Sequence, residues 1–300
     1  MTVPAYLKKG DPVALVAPAR KVTADEMEPA SCKLKEWGLE VVTGKHLTGS
    51  WNQFSGTDTE RAADLQEMLD RDDIRAIFCA RGGYGLIRII DRLDFSRFAN
   101  DPKWIVGYSD ITALHSHIHT HFGIETLHAT MPIHFGDPAI SAETFTSLHK
   151  ALFGENLTYN LPSSALSRRG KAKGILTGGN LSLIFSLVST PSDILTDGKI
   201  LFLEDLDEYL YHVDRMMLGL KRSGKLSHLA GLIVGSMTRM RDNEIPFGKT
   251  SEEIIAEAVR DYDYPVCFGF PAGHVADNRA LILGRETVLE VGDEVVFKQS

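Results

Sequence analysis

Three side chains suited to acid–base and nucleophilic chemistry stand where apolar runs stop. Ser109 follows WIVGY (residues 104–108) and precedes DITALHSH, Glu204 ends ILFLE, and His274 closes GFPAGH. A hydroxyl at a strand-to-helix corner is either a helix cap or a nucleophile. In the second role a tight turn lifts the hydroxyl, and N–H groups of the following helix face the negative charge that develops on a substrate. Such a serine needs a base. An imidazole, with its ordinary pKa near neutrality, takes a serine proton and returns it to a leaving group. A carboxylate against an apolar strand needs a hydrogen-bond donor, and an imidazole N–H meets that need while fixing its own tautomer. Each residue also has a plainer role open to it: Ser109 could cap the helix opening at Asp110, and His274 could be a surface-loop histidine. Glu204, followed by Asp205, Asp207 and Glu208, could belong to an acidic helix start. GxSxG is absent, because Ile111 stands at the second glycine, which disfavours an α/β-hydrolase.

Around these residues lie other groups of chemical interest. Gly82, Gly83 and Gly85 let backbone approach a ligand closely, but the loop matches neither GxGxxG nor the lysine-bearing P-loop. The N–H of Gly83, paired with that of Asp110, would make an oxyanion hole. Gly178-Gly179-Asn180 would bring a side-chain amide to the substrate or merely start the next helix. His115, His117, His119 and His121 alternate along one segment; on a helix no more than two of them converge, and HExxH is missing. No metal site is expected, and these histidines read as solvated or partly packed.

The elements that must position these residues follow from periodicity. PVALVAPA reads as a strand and Thr23 to Trp37 as a helix with Met27, Ala30, Leu34 and Trp37 on one face. LEVVTG, IRAIFCA, WIVGY and IETLHAT read as further strands. Between them come a helix capped by Thr57, a helix from the glycine loop to about Leu93, and one from Asp110 to about His121. This βαβ series predicts an α/β fold whose N-terminal sheet is mainly parallel and flanked by helices. Residues 156–170 lapse into Pro, Ser and Gly without periodicity and are expected to be a linker between an N-terminal domain (1–155), bearing Ser109, and a smaller C-terminal α/β domain (171–300), bearing Glu204 and His274. In the latter GILTG, KILFLE, AGLIVGSM and PVCFGF are strands, and ETVLEVGDEVVF is a hairpin turned at Gly292-Asp293. Open α/β sheets bind ligands beyond the carboxyl ends of their strands, which is where the three residues fall.

Composition narrows the function. The 300 residues carry 32 Lys and Arg against 40 Asp and Glu, a net charge of −8, with no basic block, so nucleic acid is not an expected partner. No run approaches the roughly 18 apolar residues of a membrane span. The N-terminus lacks the pattern of a secretory signal. Cys32, Cys79 and Cys267 form no CxxC pair and suit a reducing compartment, so the expected location is cytoplasmic.

ARGGYG (80–85), VGYSDIT (106–112), GGNLS (178–182), LFLED (201–205), GFPAGH (269–274) and DNRALILG (277–284) together resemble the serine LD-carboxypeptidases. That family includes the murein tetrapeptide carboxypeptidases and the microcin C self-immunity peptidases. The opening VALVAPA and FSGTDTERAADLQ extend the likeness over nearly the whole chain. The resemblance implies a triad of Ser109 as nucleophile, His274 as general base and acid, and Glu204 as its orienting carboxylate. It also implies an N-terminal domain similar to class I glutamine amidotransferases, no cofactor, and usually a homodimer. The implied reaction removes terminal D-alanine from a cytoplasmic murein tetrapeptide, with lysine or diaminopimelate at the third position left open. Within the family the alternative substrate is an aminoacyl-nucleotide, which linker aromatics would favour by stacking a base; that region offers only Tyr159. Outside it, the glycine loops would suit a non-catalytic nucleotide or sugar-phosphate binder. Ile282, where a proline is expected, reads as a loop detail.

Overall fold

The apolar runs assemble into two sheets, in a computed structural model that describes residues 1–300. The first half comprises β1 (Pro12–Val16), α1 (Ala24–Glu36), β2 (Glu40–Thr43), α2 (Asp58–Asp70), β3 (Ala76–Cys79), α3 (Ser96–Asn100), β4 (Trp104–Gly107), α4 (Thr112–Phe122), β5 (Thr126–His128) and α5 (Ala142–Leu152). The second comprises β6 (Leu157–Pro162), β7 (Gly170–Asn180), α6 (Leu181–Leu187), β8 (Ile200–Leu206), α7 (Leu210–Arg222), β9 (Gly231–Thr238), α8 (Ser251–Ala258), β10 (Val266–Phe268), β11 (Leu281–Leu283), β12 (Glu286–Val291) and β13 (Glu294–Gln299). None of the helices is long and apolar enough to cross a membrane.

Helix starts follow local chemistry. Thr23 and Thr57 each accept the N–H three residues on, while Glu26 and Glu60 reach back to the cap N–H, so two orphan donors are satisfied reciprocally at each start. β1 to β5 are parallel in the order β2-β1-β3-β4-β5, and every residue of β3 and β4 is buried, as expected for strands covered on both faces. In the second sheet β7, β8, β9 and β10 are parallel, and β12, β13 and β6 extend it antiparallel beyond β7. β12 and β13 form the expected hairpin, closed by the Gly292 N–H on the Glu294 carbonyl at 2.9 Å.

Two segments differ from their sequence expectation. Residues 156–170, read as a linker, carry β6, in which Leu157, Tyr159 and Leu161 are buried and the residues between them exposed. The alternation spans only six residues and ends on Pro162, which an edge strand tolerates. Residues 86–93, read as a helix, form two 3-10 turns, Leu86–Arg88 and Ile90–Arg92. β-branched Ile87, Ile89 and Ile90 lower helix propensity there, and the Asp110 carboxylate holds the Leu86 N–H at 2.8 Å.

The halves are interlocked. β11 leaves the second half to pair antiparallel with β5, completing the first sheet. Ile282 therefore lies inside a buried strand rather than a loop, and its N–H donates to Gln299 Oε1 at 3.0 Å, a bond proline could not make. Next to this junction buried Arg285 donates from Nε and Nη2 to buried Glu125 Oε2 at 3.0 and 2.5 Å. α4 is held against the second half as well: Ser116 donates to the Ser192 carbonyl at 2.5 Å, and Thr120 to that of Asp193 at 3.0 Å.

The histidines of α4 are more deeply packed than the sequence reading held. Only His121 is exposed; His115 and His119 are buried, meeting the Gly107 carbonyl at 2.9 Å and Thr126 Oγ1 at 3.0 Å. Burial lowers the pKa of His115 to about 4 and that of His119 to about 3. Both stay neutral in the fold, whereas an unfolded chain protonates them below about 6.5. Each contribution is therefore complete above that pH and is lost as the pH falls toward the folded value. His119→Gln should shrink the loss of stability between pH 7 and pH 5 by about 2 kcal/mol, as read from urea unfolding at both pH values. Equal losses in the two proteins would show that His119 titrates alike folded and unfolded.

Candidate active site

Ser109 begins a 3-10 turn (Ser109–Ile111) between β4 and α4, with a backbone φ of +63°. Left-handed backbone costs free energy in a non-glycine residue and persists only where the surroundings hold it. The capping role is not what the turn provides, since no side-chain hydrogen bond caps either the 3-10 turn or α4. Gly82 explains how the hydroxyl is crowded: a Cβ on it would lie 3.1 Å from Ser109 Cβ and 3.3 Å from both Ser109 Oγ and the Asp110 nitrogen. Gly82 and Gly83 both line the cavity that Ser109 faces, and a Cβ on Gly83 would meet the Arg20 side chain. Asp110 is buried with its carboxylate on the Leu86 N–H, and burial pushes its pKa up to about 6.

Glu204 is wholly buried near the end of β8 and accepts a hydrogen bond on Oε2 from His274 Nδ1 at 2.7 Å. The β8–β9 register shifts between Leu203 and Asp205, a local irregularity of the kind that re-aims a side chain. Gly273 is required beside it. Its φ is +112°, and a Cβ there would sit 2.7 Å from Glu204 Oε2 and 2.5 Å from Ser236 Oγ. With Nδ1–H committed to a carboxylate, Nε2 is the free acceptor of a neutral imidazole.

The rival reading of an acidic helix start dissolves into separate roles. Asp205 turns to the start of α6, accepting from Asn180 Nδ2, the Ser182 N–H and the Leu206 N–H at 2.9, 2.9 and 2.8 Å. Burial and the adjacent Glu204 charge raise its pKa to about 7. Asp207 pairs with Arg241, and Glu208 meets His212 at 2.5 Å. Only Glu204 reaches the catalytic-type imidazole.

Ser109 and His274 line one cavity of ≈ 480 Å³, with Asn180 also on its wall. Arg20, Arg81 and Arg241 share that wall with Asp205, Asp207 and Glu208, so the cavity offers charge of both signs. Asn180 caps α6 through Oδ1, on the Leu183 N–H at 3.2 Å, while its Nδ2 is taken by Asp205. Its backbone N–H donates to Thr112 Oγ1 at 3.0 Å, joining the second half to the helix that follows Ser109. No group of three His, Cys, Asp or Glu side chains stands at metal-ligand spacing.

Sequence reasoning missed Tyr108 and His134. The Tyr108 ring lies 4.7 Å from that of His274, and its hydroxyl shares a hydrogen bond of 3.0 Å with His134 Nε2. Burial, with Glu204 second, raises the Tyr108 pKa, and burial lowers that of His134, so both stay neutral. The adjacency of Tyr108 to Ser109 was its only sequence signal; His134 had none. Tyr159, the linker aromatic available for stacking a base, is buried against Phe270 and Phe297 and donates to the Ala280 carbonyl at 2.8 Å.

Comparison with known proteins agrees with this architecture. Residues 13–129 match the LD-carboxypeptidase N-terminal domain, and residues 173–289 match the LD-carboxypeptidase C-terminal domain. The chain is 38% identical to the probable murein peptide carboxypeptidase of Bacillus subtilis over 97% of its own length and 92% of that protein. It is 31% identical to the murein tetrapeptide carboxypeptidase of Pseudomonas aeruginosa, covering 93% and 92% of the two chains. The microcin C7 self-immunity protein of Escherichia coli is 27% identical, covering 86% and 83%. Among solved structures, the muramoyltetrapeptide carboxypeptidase of Oxalobacter formigenes superposes with a TM-score of 0.88 at 26% identity, over 96% of this chain and 98% of that one. With a matching fold, both domains in order and relatives similar along nearly the full length, the chain belongs to the LD-carboxypeptidase family of serine peptidases.

Proposed function

We propose that Ser109, His274 and Glu204 act as a catalytic triad that releases terminal D-alanine from murein tetrapeptides. The observation that carries this reading is the 2.7 Å bond from His274 Nδ1 to the buried Glu204 carboxylate, with His274 and Ser109 facing one cavity. His274 Nε2 takes the hydroxyl proton as Ser109 Oγ attacks the carbonyl carbon of the L,D amide. Glu204 stabilises the imidazolium, while the N–H groups of Gly83 and Asp110 receive the oxyanion, with Gly82 leaving room for it. Collapse breaks the C–N bond, and His274 protonates the departing amine. Water, deprotonated by the same imidazole, then hydrolyses the Ser109 ester.

The substrate class is supported by the named relatives and by the cavity's mixed charge, which suits the polar third residue of such a peptide. The microcin-like reading draws no support from Tyr159, whose ring is packed inside the second sheet. The reaction is read as cytoplasmic and independent of metal, in a homodimer whose nucleophile comes from residues 1–155 and whose acid–base pair comes from the C-terminal domain. Sedimentation tests the dimer.

Ser109→Ala should abolish release of D-alanine from a tetrapeptide, followed by mass spectrometry of the product; substantial residual turnover would contradict an acyl-enzyme. Glu204→Gln keeps the shape but leaves the imidazole without a charged partner. It should lower kcat by about a thousand- to ten-thousandfold with little change in KM. A loss below about tenfold would remove Glu204 from the triad.

A further inference from the structure

His274 also faces a second cavity. This space, of ≈ 280 Å³, adjoins the first and shares Tyr108, His134, Leu206 and His274 with it, but Ser109 lines only the larger. Two donors on its wall have no partner. Asn278 is 2% exposed, and its Oδ1 accepts the Gly273 N–H at 2.9 Å, which fixes the orientation of the amide. Its other atom, Nδ2, is then a buried donor with no acceptor in the protein, a costly arrangement unless a ligand supplies one. Arg239 is exposed at the same cavity with a backbone φ of +54°. Its neighbour Arg241 is held by Asp207, whereas Arg239 pairs with no carboxylate. Asp137, the carboxylate on this wall, accepts the Ala139 N–H at 2.9 Å.

Amide hydrolysis places the two halves of its substrate on either side of the reacting carbon. The acyl half must reach Ser109, and the leaving amine must touch the imidazole that protonates it. An enzyme that removes one C-terminal residue releases a free amino acid, which is small and carries a carboxylate. The second cavity lies below the usual range for small-molecule sites, which suits one residue rather than a chain. We propose that this cavity is the leaving-group subsite, where Asn278 Nδ2 and the Arg239 guanidinium bind the carboxylate of the departing D-amino acid. As the C–N bond breaks, the Nε2 proton of His274 passes to the amine nitrogen, and the carbonyl carbon stays esterified to Ser109 Oγ. The assignment rests on the carboxypeptidase reading and adds to it the groups that select a free C-terminus.

Calorimetry with D-alanine and D-alaninamide tests it without turnover, on Ser109→Ala protein alone and combined with Arg239→Gln or Asn278→Asp. D-alanine should bind at least about tenfold more tightly than its amide, the worth of one charge-assisted hydrogen bond, and either added substitution should remove that preference. In the active enzyme, Arg239→Gln should raise KM for the tetrapeptide about tenfold with a smaller effect on kcat, and should leave a tetrapeptide amide unaffected. Undetectable D-alanine binding, equal binding of acid and amide, or binding unchanged by Arg239→Gln overturns the subsite. Arg239 is exposed, so that variant decides the matter even where Asn278→Asp fails to fold. Selective binding that depends on Arg239, in a protein whose wild type releases no D-alanine, would uphold the subsite and sink the carboxypeptidase reading instead.

Discussion

A carboxylate removed from water is tolerable only when something donates to it, and here a strand carboxylate receives its donor from an imidazole on the loop after β10. The Glu204–His274 bond is the constraint around which the second half of the chain is arranged. It places a carboxylate at a register shift between β8 and β9, and it demands a glycine at 273 because any side chain there would strike that carboxylate. Removing either partner leaves the other stranded in a site built for two.

The nucleophile belongs to the other half, so the chemistry depends on how the halves are locked together. β11 crosses to the first sheet, Arg285 and Glu125 pair beside that crossing, and Thr112 accepts the N–H of Asn180 just beyond the turn that carries Ser109. These contacts are buried and hydrogen-bonded, which favours one fixed arrangement over a hinge. The strained φ of Ser109 is sustained by the same packing, with Gly82 pressed against it on one side and the buried Asp110 anchored to Leu86 on the other.

Much of this was legible in the sequence because strand ends announce themselves. The runs ending at Tyr108, Glu204 and Phe270 are apolar, bounded and short, and periodicity alone placed Glu204 at the end of one and Ser109 and His274 just beyond the others. What stayed hidden depends on distant partners. β11 is only Leu281–Leu283 and becomes a strand because β5 offers an open edge. β6 alternates too briefly to outweigh Pro162 and the serines after it. His115 and His119, read as solvated or partly packed, are buried because α4 turns them onto the Gly107 carbonyl and Thr126 Oγ1, partners that their spacing does not announce. Asn180 was correctly placed at a strand end, but its amide serves Asp205 and the start of α6. The contact between Tyr108 and His134 joins residues whose spacing carries no pattern.

The central claim is that hydroxyl and imidazole work as one unit, and a kinetic double-mutant cycle addresses it most directly. Residues acting as a unit show strongly non-additive losses, because removing the second adds little once the first is gone. Measuring kcat/KM for Ser109→Ala, His274→Ala and the double variant should give three nearly equal values. Losses that multiply in the double variant would mean that the serine and the histidine contribute separately, and would contradict the account.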